Sequence, residues 1–476
     1  MKGVRFMGIK FGTDGWRAVM AEDFTFSNVE IVTQGIADYV KNLKGDDHQI
    51  FIGYDNRFLS PEFAQRAAEV LAGNGIKVLI SNKAVPTPTT AFSVVKRETI
   101  GALMFTASHN PPEYNGLKFI PDYAGPALPE ITAEIEKKVK QVQDQGNIKR
   151  MPYRKGKQEE MIRLANDRDA YLEQLKSLVD QEAIKNAGLK ILVDPMYGAG
   201  AGYLDKLLSE LGCEVEAICN YRDPLFGGKM PEPAPSVLKE LSSMVKDNNY
   251  HLGLALDGDA DRFGIIDYRG EFINANQVLS MLYHHLLNKG IQGPVTKTVS
   301  TTHMLNRIAN EHNQEVFETP VGFKFIGKNL RDEDCVLGGE ESGGLSIRGH
   351  IPEKDGILAC LLIVEIIAKK GDLKGYLDQI YEEYGTLVNE RLDIHVSEDD
   401  KSRVLEILET WRPKKLANHR VIDFNTVDGL KIECEDDSWI LIRPSGTEPL
   451  FRIYGETNSW RELEVLQKEI RNRLEI

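Results

Sequence analysis

The chain has 476 residues, 42% hydrophobic and 27% charged, which is the balance of a soluble globular protein and not of a disordered, collagenous or coiled-coil one. At about 150 residues per domain the length predicts three or four domains, each able to bury a core without disulfide or metal staples. The 58 basic and 72 acidic residues leave a formal charge of −14, which argues against a nucleic-acid partner and requires any anionic substrate to be met by locally concentrated cations. The five cysteines are Cys213, Cys219, Cys335, Cys360 and Cys434; none stands in a CxxC pair, so a zinc ribbon or thioredoxin-like chemistry has no support and a reducing compartment fits. The most apolar stretch, Ile357–Ala368, is interrupted by Glu365 and is too short to span a bilayer. It reads as a buried helix. The N-terminus lacks an apolar core and a small-residue cleavage site, and the expectation is a cytoplasmic protein without a membrane partner.

In chain order, apolar runs alternate with helical periodicity. Ser27 and Glu30 read as a capping box before Val29, Val32, Ile36, Tyr39 and Leu43 on one helical face. Phe51–Tyr54 reads as a strand, Ser60-Pro61 opens a helix, Gly73-Asn74-Gly75 closes it, and Ile76–Ile80 is the next strand. A helix over Pro88–Lys96 then leads into the strand Ile100–Phe105. This βαβα rhythm predicts a largely parallel sheet covered by helices. A charged stretch, Gln141–Glu160, reads as a connector. The rhythm restarts with strands at Lys190–Asp194, Glu214–Cys219 and Leu252–Leu256 and helices at Gly202–Leu211 and Ser236–Lys246. A third block from about Phe272 carries the helix Gln277–Leu287, strand-like runs near Val295 and Val316, and the apolar helix ending near Lys370. After Gly385 come a strand, the helix Asp399–Trp411, short strands and a helix from Trp460. The expected fold class is α/β: three similar α/β domains with mixed sheets and a smaller α+β C-terminal domain, divided as 1–155, 156–266, 267–386 and 387–476.

Four loops follow apolar runs, one per expected domain, where open α/β sheets gather ligands. Thr106-Ala107-Ser108-His109-Asn110-Pro111 puts a serine beside a histidine, an activated nucleophile or an ordinary turn. Asp257-Gly258-Asp259-Ala260-Asp261-Arg262 places carboxylates at alternating positions. It lacks the glycine and glutamate of an EF-hand, having Arg262 and Tyr268 there, and suits a magnesium-type ion; the bland alternative is a solvated acidic turn. Gly338-Gly339-Glu340-Glu341-Ser342-Gly343-Gly344 offers Glu340 and Ser342 as acceptors for sugar hydroxyls, or is simply a flexible glycine turn. Arg443-Pro444-Ser445-Gly446-Thr447-Glu448-Pro449, with Arg452 beyond, has the donors of a phosphate cradle or of a helix cap. Gly198-Ala199-Gly200-Ala201-Gly202 matches neither GxxxxGK[ST] nor GxGxxG and reads as close strand–helix packing.

Taken in order with Phe11-Gly12-Thr13-Asp14-Gly15-Trp16-Arg17, these motifs resemble the α-D-phosphohexomutase superfamily over essentially the whole chain. The resemblance implies four domains around a central cleft, and a phosphoserine enzyme. Ser108 would carry the phosphoryl group. Mg²⁺ would be held by Asp257, Asp259, Asp261 and the Ser108 oxygen, with a hexose 1,6-bisphosphate as intermediate and activator. His109, Lys118, Arg17 and Arg262 would surround the transferred group. Glu340 and Ser342 would hold the sugar, Lys324 would sense its orientation, and Arg443, Ser445, Gly446, Thr447 and Arg452 would bind the phosphate that is not transferred. The run His350-Ile351-Pro352-Glu353-Lys354-Asp355-Gly356 resembles the segment of glucose-selective members, with Lys354 a candidate for proton transfer and His350 its rival. Gly344 stands where many phosphomannomutases and phosphoglucosamine mutases place histidine, which leans the expectation towards glucose phosphate. Phosphoglucosamine mutase and phosphomannomutase remain alternatives; a metal-dependent phosphatase and a non-catalytic sugar-phosphate sensor carry less weight. The expected partner is the hexose phosphate alone, for a monomer or homodimer.

Overall fold

The structure, a computed structural model, describes residues 9–12, 14–43, 45, 48–445 and 450–475. It divides into two compact units: Met1–Asn274 with Gly322–Asp332 and Ser342–Leu373, and Ala275–Val321 with Glu333–Glu341 and Lys374–Ile476.

The first unit opens with strands β1 (Trp16–Val19), β2 (Gln49–Tyr54), β3 (Lys77–Ser81), β4 (Gly101–Phe105), β5 (Tyr114–Pro121) and β6 (Ile162–Ala165), paired in the order β1-β5-β4-β2-β3-β6. β4, β2, β3 and β6 run parallel, while β5 pairs antiparallel with both β4 and β1. Alternate side chains of the central strands enter opposite cores. Ile50, Ile52, Leu103 and Phe105 join the residues of helices α1 (Phe26–Val40) and α2 (Ser60–Gly73), whereas Phe51, Ala102 and Met104 join Ala91 and Val94 of α3 (Thr87–Arg97). A strand covered on both faces has no polar side, hence the continuous apolar runs in the sequence.

Two sequence readings are corrected here. The N-cap of α1 is Thr25, whose Oγ1 accepts from Asn28 N–H at 3.2 Å; Ser27 lies inside the first turn, and Glu30 pairs with Arg66 and Arg150, each at 2.7 Å. The stretch 141–160 is not a bare connector. It holds the end of α4 (Pro129–Gln145) and all of α5 (Tyr153–Gln158), and Glu69 straps it to α2 by accepting from Arg150 Nη2 at 2.8 Å and Tyr153 N–H at 3.0 Å.

The second sheet has β7 (Lys190–Asp194), β8 (Glu214–Ala217), β9 (Leu252–Leu256), β10 (Phe263–Asp267) and β11 (Phe272–Ile273) in the order β11-β10-β9-β7-β8, parallel at β9-β7-β8 and antiparallel beyond. The apolar helix Gly356–Lys370, capped by Asp355, is buried along nearly its whole length. Even its Glu365 is covered, accepting from Asp180 N–H at 3.0 Å. Among the described residues no helix is long and apolar enough to cross a membrane.

In the second unit β12 (Val295–Thr298), β13 (Val316–Thr319) and β14 (Leu337–Gly339) pair in parallel as β13-β12-β14; β15 (Leu345–Ile347) falls among the residues of the first. An antiparallel C-terminal sheet follows, made of β16 (Val388–His395), β17 (Lys415–Leu416), β18 (His419–Asn425), β19 (Leu430–Cys434), β20 (Trp439–Pro444) and β21 (Leu450–Thr457) in the order β16-β21-β20-β19-β18-β17. Leu466 and Ile470 of the last helix, Trp460–Leu474, and Val404 of the helix Glu398–Thr410 share its core. This is the α+β architecture expected at the C-terminus.

Candidate active site

β4 ends at Phe105, and the chain turns sharply through Ser108, whose φ of +51° is uncommon for a residue with a side chain. Such a conformation persists only where the surroundings over-determine it, and here two groups do. Thr106 Oγ1 accepts from Ser108 N–H at 2.8 Å. The fully buried Arg57 guanidinium donates to the carbonyls of Ser108 (2.7 Å), Asn110 (2.6 Å), Pro111 (2.7 Å) and Tyr114 (3.1 Å), with Asp55 at 3.2 Å from its Nε. Arg57 went unnoticed in the sequence; the signal was the polar run Asp55-Asn56-Arg57 at the carboxyl end of an apolar strand.

The acidic loop begins where β9 ends, and Ser108 Oγ donates to Asp257 Oδ2 at 2.9 Å. Asp257, Asp259 and Asp261 are all buried, with one oxygen from each lying within 4.8 Å of the others. The two loops touch so closely that a Cβ on Gly258 would stand 2.5 Å from the Ser108 carbonyl oxygen. The glycine run at 198–202 packs as closely as expected, but against this acidic loop: a Cβ on Gly198 would lie 2.8 Å from the carbonyl oxygens of Asp257 and Gly258.

Buried like charges need compensation. Lys118 Nζ lies 2.8 Å from Asp14, 3.1 Å from Asp259 and 3.2 Å from Asp261. Lys354 Nζ lies 3.0 Å from Asp261 and 3.3 Å from Asp14, and Thr87 Oγ1 donates to Asp259 at 2.6 Å. Burial opposes the charge of Lys118, but Asp14, Asp259 and Asp261 carry its pKa well above the ordinary lysine range. Asp257 is pushed the other way: burial, then repulsion from Asp259 and Asp261, raises it far above the usual carboxylate range. Asp259 Oδ1 and Asp261 Oδ1 are buried with no hydrogen-bond partner. Unsatisfied hard oxygens in a cluster that disfavours full ionisation fit a divalent cation. A second ligand-like group, His303, Glu318 and Glu433, contrasts with it. Lys431 Nζ is already among them at 3.0, 2.7 and 3.0 Å.

His109 Nδ1 stands 3.3 Å from Ser108 Oγ. Burial, then the nearby Arg262 and Arg17, depress its pKa strongly, so the ring is neutral. Arg17 donates to Asn110 Oδ1 at 2.8 Å, and Arg262 N–H donates to Asp257 Oδ1 at 3.0 Å. Of the two proton-transfer candidates, Lys354 joins the carboxylate cluster. His350 has a fully buried side chain with Nε2 2.8 Å from Asp355, the helix cap that Tyr171 also engages at 2.7 Å. That placement suits anchoring of the loop. Asp14 and Thr87 were missed as site residues in the sequence.

Glu353 is buried at 1% exposure, and burial pushes its carboxyl up to about 8, with Lys354 opposing and Asp14 adding to the rise. Because the folded protein holds this proton more tightly than the unfolded chain, the stability it contributes is complete below about pH 4.5 and is lost as pH rises towards 8. Glu353→Gln keeps the neutral shape. The expected result is a smaller fall in Tm between pH 6 and pH 9 than in wild type, read by differential scanning fluorimetry; parallel curves would assign the alkaline loss elsewhere.

The other predicted residues fall as follows. Lys324, in the helix Phe323–Asp332, lies over the Phe325 ring at 5.5 Å and makes no ion pair among the described residues. Glu340 is buried just beyond β14, and Ser342 is half-buried. Arg443 and Arg452 face each other across β20 and β21, an arrangement that costs energy unless an anion or acid intervenes. Asp428 accepts from Arg443 Nε at 2.9 Å, whereas Arg452 Nε is buried without a hydrogen-bond partner among the described residues. Ser445 is buried, and its carbonyl accepts from Lys401 Nζ at 2.9 Å. Gly446 and Thr447 lie outside the described residues.

Three α/β segments, an antiparallel C-terminal domain and a serine bonded to a buried aspartate cluster define an enzyme of the sugar-phosphate mutase class, an isomerase that works by phosphoryl transfer. The chain belongs to the phosphoglucomutase/phosphomannomutase family, within the α-D-phosphohexomutase superfamily. It matches that family's alpha/beta/alpha domain I over residues 8–146, domain II over 169–270, domain III over 274–384 and C-terminal domain over 396–473. It is 31% identical over 453 residues to a phosphoglucomutase/phosphomannomutase of Thermococcus kodakarensis, covering 95% of each chain. It is 32% identical to a probable phosphoglucosamine mutase of Pyrococcus horikoshii, covering 98% of each. Among solved structures, a candidate phosphomannomutase from Thermus thermophilus aligns at a TM-score of 0.84 with 32% identity, over 98% of this chain and 99% of that one. Aspergillus fumigatus N-acetylphosphoglucosamine mutase, solved with GlcNAc-6P and magnesium, shares the fold at a TM-score of 0.59 and 14% identity, over 98% and 95% of the chains.

Proposed function

We propose that this mutase moves a phosphoryl group between the 1- and 6-positions of a hexose phosphate, glucose phosphate favoured, through a phosphoserine at Ser108 and a hexose 1,6-bisphosphate. The observation that carries the reading is Ser108 Oγ, set on a left-handed turn 2.9 Å from a buried three-aspartate cluster. Mg²⁺, when held by Asp257, Asp259, Asp261 and the Ser108 oxygen, neutralises charge on the transferred group. Ser108 Oγ accepts and returns the phosphoryl group. Lys118, Arg17 and Arg262 meet its equatorial oxygens. Burial opposes the positive charge of Lys354, but Asp14 and Asp261 outweigh it and hold the ammonium charged; as an ammonium it protonates the sugar oxygen that departs when the bisphosphate returns a phosphoryl group to Ser108, and the amine so formed takes the proton of the next sugar hydroxyl that attacks the phosphoserine. Arg443, Ser445 and Arg452 are assigned the phosphate that is not transferred, since the partnerless Arg452 Nε needs an acceptor. Lys324, Glu340 and Ser342 are assigned the sugar. The divisions 1–155, 156–266, 267–386 and 387–476 belong to the same reading.

Relatives carry different substrate names. Besides the archaeal pair, a phosphoglucomutase of Komagataeibacter xylinus is 28% identical, covering 98% of this chain and 90% of its own. The glucose preference rests on Gly344 and the Lys354 segment, and a coupled assay over glucose, mannose, glucosamine and N-acetylglucosamine phosphates tests it. Glucose 1-phosphate is expected to show the highest kcat/KM. A tenfold preference for glucosamine phosphate, worth about 1.4 kcal/mol in the transition state, would move the assignment to the amino sugar. No isomerisation of any of them would overturn the mutase reading.

A further inference from the structure

A cavity of about 370 Å³ opens in the first unit, lined by none of Ser108, Asp257, Asp259 and Asp261, and none of the roles assigned above uses it. Its walls come from the carboxyl ends of parallel strands in two sheets: Tyr54 at the end of β2, Lys83 beyond β3, Gly198, Ala199 and Ala201 beyond β7 and Arg222 beyond β8. Carboxyl ends of parallel strands are where α/β proteins place ligands, and each sheet here already uses another such end for its catalytic loop. Lys83 and Arg222 make no ion pair among the described residues, and the half-buried Tyr54 hydroxyl has no hydrogen-bond partner there. The lining carboxylate, Asp55, is turned into the fold, fully buried against Arg57. Two uncompensated cations and a free phenol on a chain of formal charge −14 make a local anion site.

The walls of this cavity also hold the catalytic loops. Arg222 Nη2 donates to the Arg57 carbonyl at 3.4 Å, and Arg57 is the residue that clasps the Ser108 turn. On the other side Asn56 Nδ2 donates to the carbonyls of Tyr197 and Gly198, both at 2.8 Å, and Ala199 N–H donates to the Gly258 carbonyl at 2.9 Å. The glycine run that fits no nucleotide motif is therefore a shared wall between the cavity and the acidic loop. We infer that this cavity binds a small phosphate-bearing anion through Lys83, Arg222 and the Tyr54 hydroxyl, and that its occupancy adjusts the setting of Ser108 against Asp257. The second clause rests on the mutase reading; the first does not.

Equilibrium dialysis with radiolabelled inorganic phosphate tests the binding without turnover. Wild type is expected to bind one phosphate more per chain than Lys83→Ala/Arg222→Ala, and Lys83→Gln and Arg222→Gln, made singly, each to weaken that extra site about tenfold or more, as loss of a charge-assisted contact implies. The single variants keep the test readable should the double variant fail to fold. Equal stoichiometry in all of them would overturn the site, whatever the mutase assays show. Repeating the dialysis on Ser108→Ala protein with glucose 6-phosphate identifies the source: tighter occupancy of the extra site assigns a sugar phosphate, equal or weaker occupancy assigns free phosphate. At saturating substrate, phosphate is expected to change kcat in wild type and not in the double variant. An identical response in both would overturn the coupling.

Discussion

Ser108→Ala is expected to lower mutase turnover by at least about 10⁴-fold, the scale on which loss of a nucleophile falls, with little change in Tm. The turn is held by Thr106 Oγ1 on the backbone N–H and by Arg57 on the carbonyl, and neither contact involves the hydroxyl. Alanine tolerates a φ of +51° about as well as serine, so the loop keeps its place while the acceptor oxygen disappears. Intact-mass analysis of active wild-type protein should also show a phosphate adduct that the variant lacks. Turnover within tenfold of wild type, or an adduct persisting in the variant, would place the covalent intermediate elsewhere.

Removal of divalent cations is expected to stop the reaction and Mg²⁺ to restore it, with Asp259→Asn weakening that rescue by about 10²-fold or more, equivalent to about 2.7 kcal/mol. On the proposed reading the partnerless Oδ1 atoms of Asp259 and Asp261 would supply the affinity, and a neutral amide is a poorer ligand than a carboxylate for a hard ion. Thr87 can still donate to the amide oxygen, so the change removes charge while keeping shape. Titration of Mg²⁺ dependence in both proteins checks this, beside a metal analysis of chelated wild type. Undiminished activity in metal-free protein would show that Lys118 and Lys354 alone neutralise the transferred group.

Much of the cluster was legible as loops. Each of the four motifs sits at the carboxyl end of an apolar run, a property read directly from residue order. Thr87 was not legible, because a single threonine carries no pattern, and Asp14 and Arg57 stood in recognisable polar runs whose partners the runs do not reveal. Their roles come from contacts across long sequence separations: Thr87 meets Asp259 over 172 positions, and Lys354 meets Asp14 over 340. The Ser27–Glu30 capping box failed for a local reason. Thr25 offers an equivalent hydroxyl two residues earlier, and Phe26 packs its ring on Phe63 at 4.6 Å, which draws the helix start forward.

Residue order by itself determined the α/β class, the alternation of buried strands and amphipathic helices, and the loops that are candidates for the chemistry, since periodicity and local turn preference depend on near neighbours alone. The tertiary structure decided which of those loops meet. Ser108 and Asp257 are 149 positions apart and one hydrogen bond apart in space, and only the packing of two sheets within one unit brings them together. It also decided the proton affinities. Burial beside Asp259 and Asp261 raises the pKa of Asp257, whereas at Asp259 burial acts the same way but Lys118 outweighs it and lowers the pKa. Two chemically identical side chains in one short loop, Asp257 and Asp259, are thus shifted in opposite directions, because proton affinity depends on what surrounds a carboxylate in space and not on its neighbours along the chain.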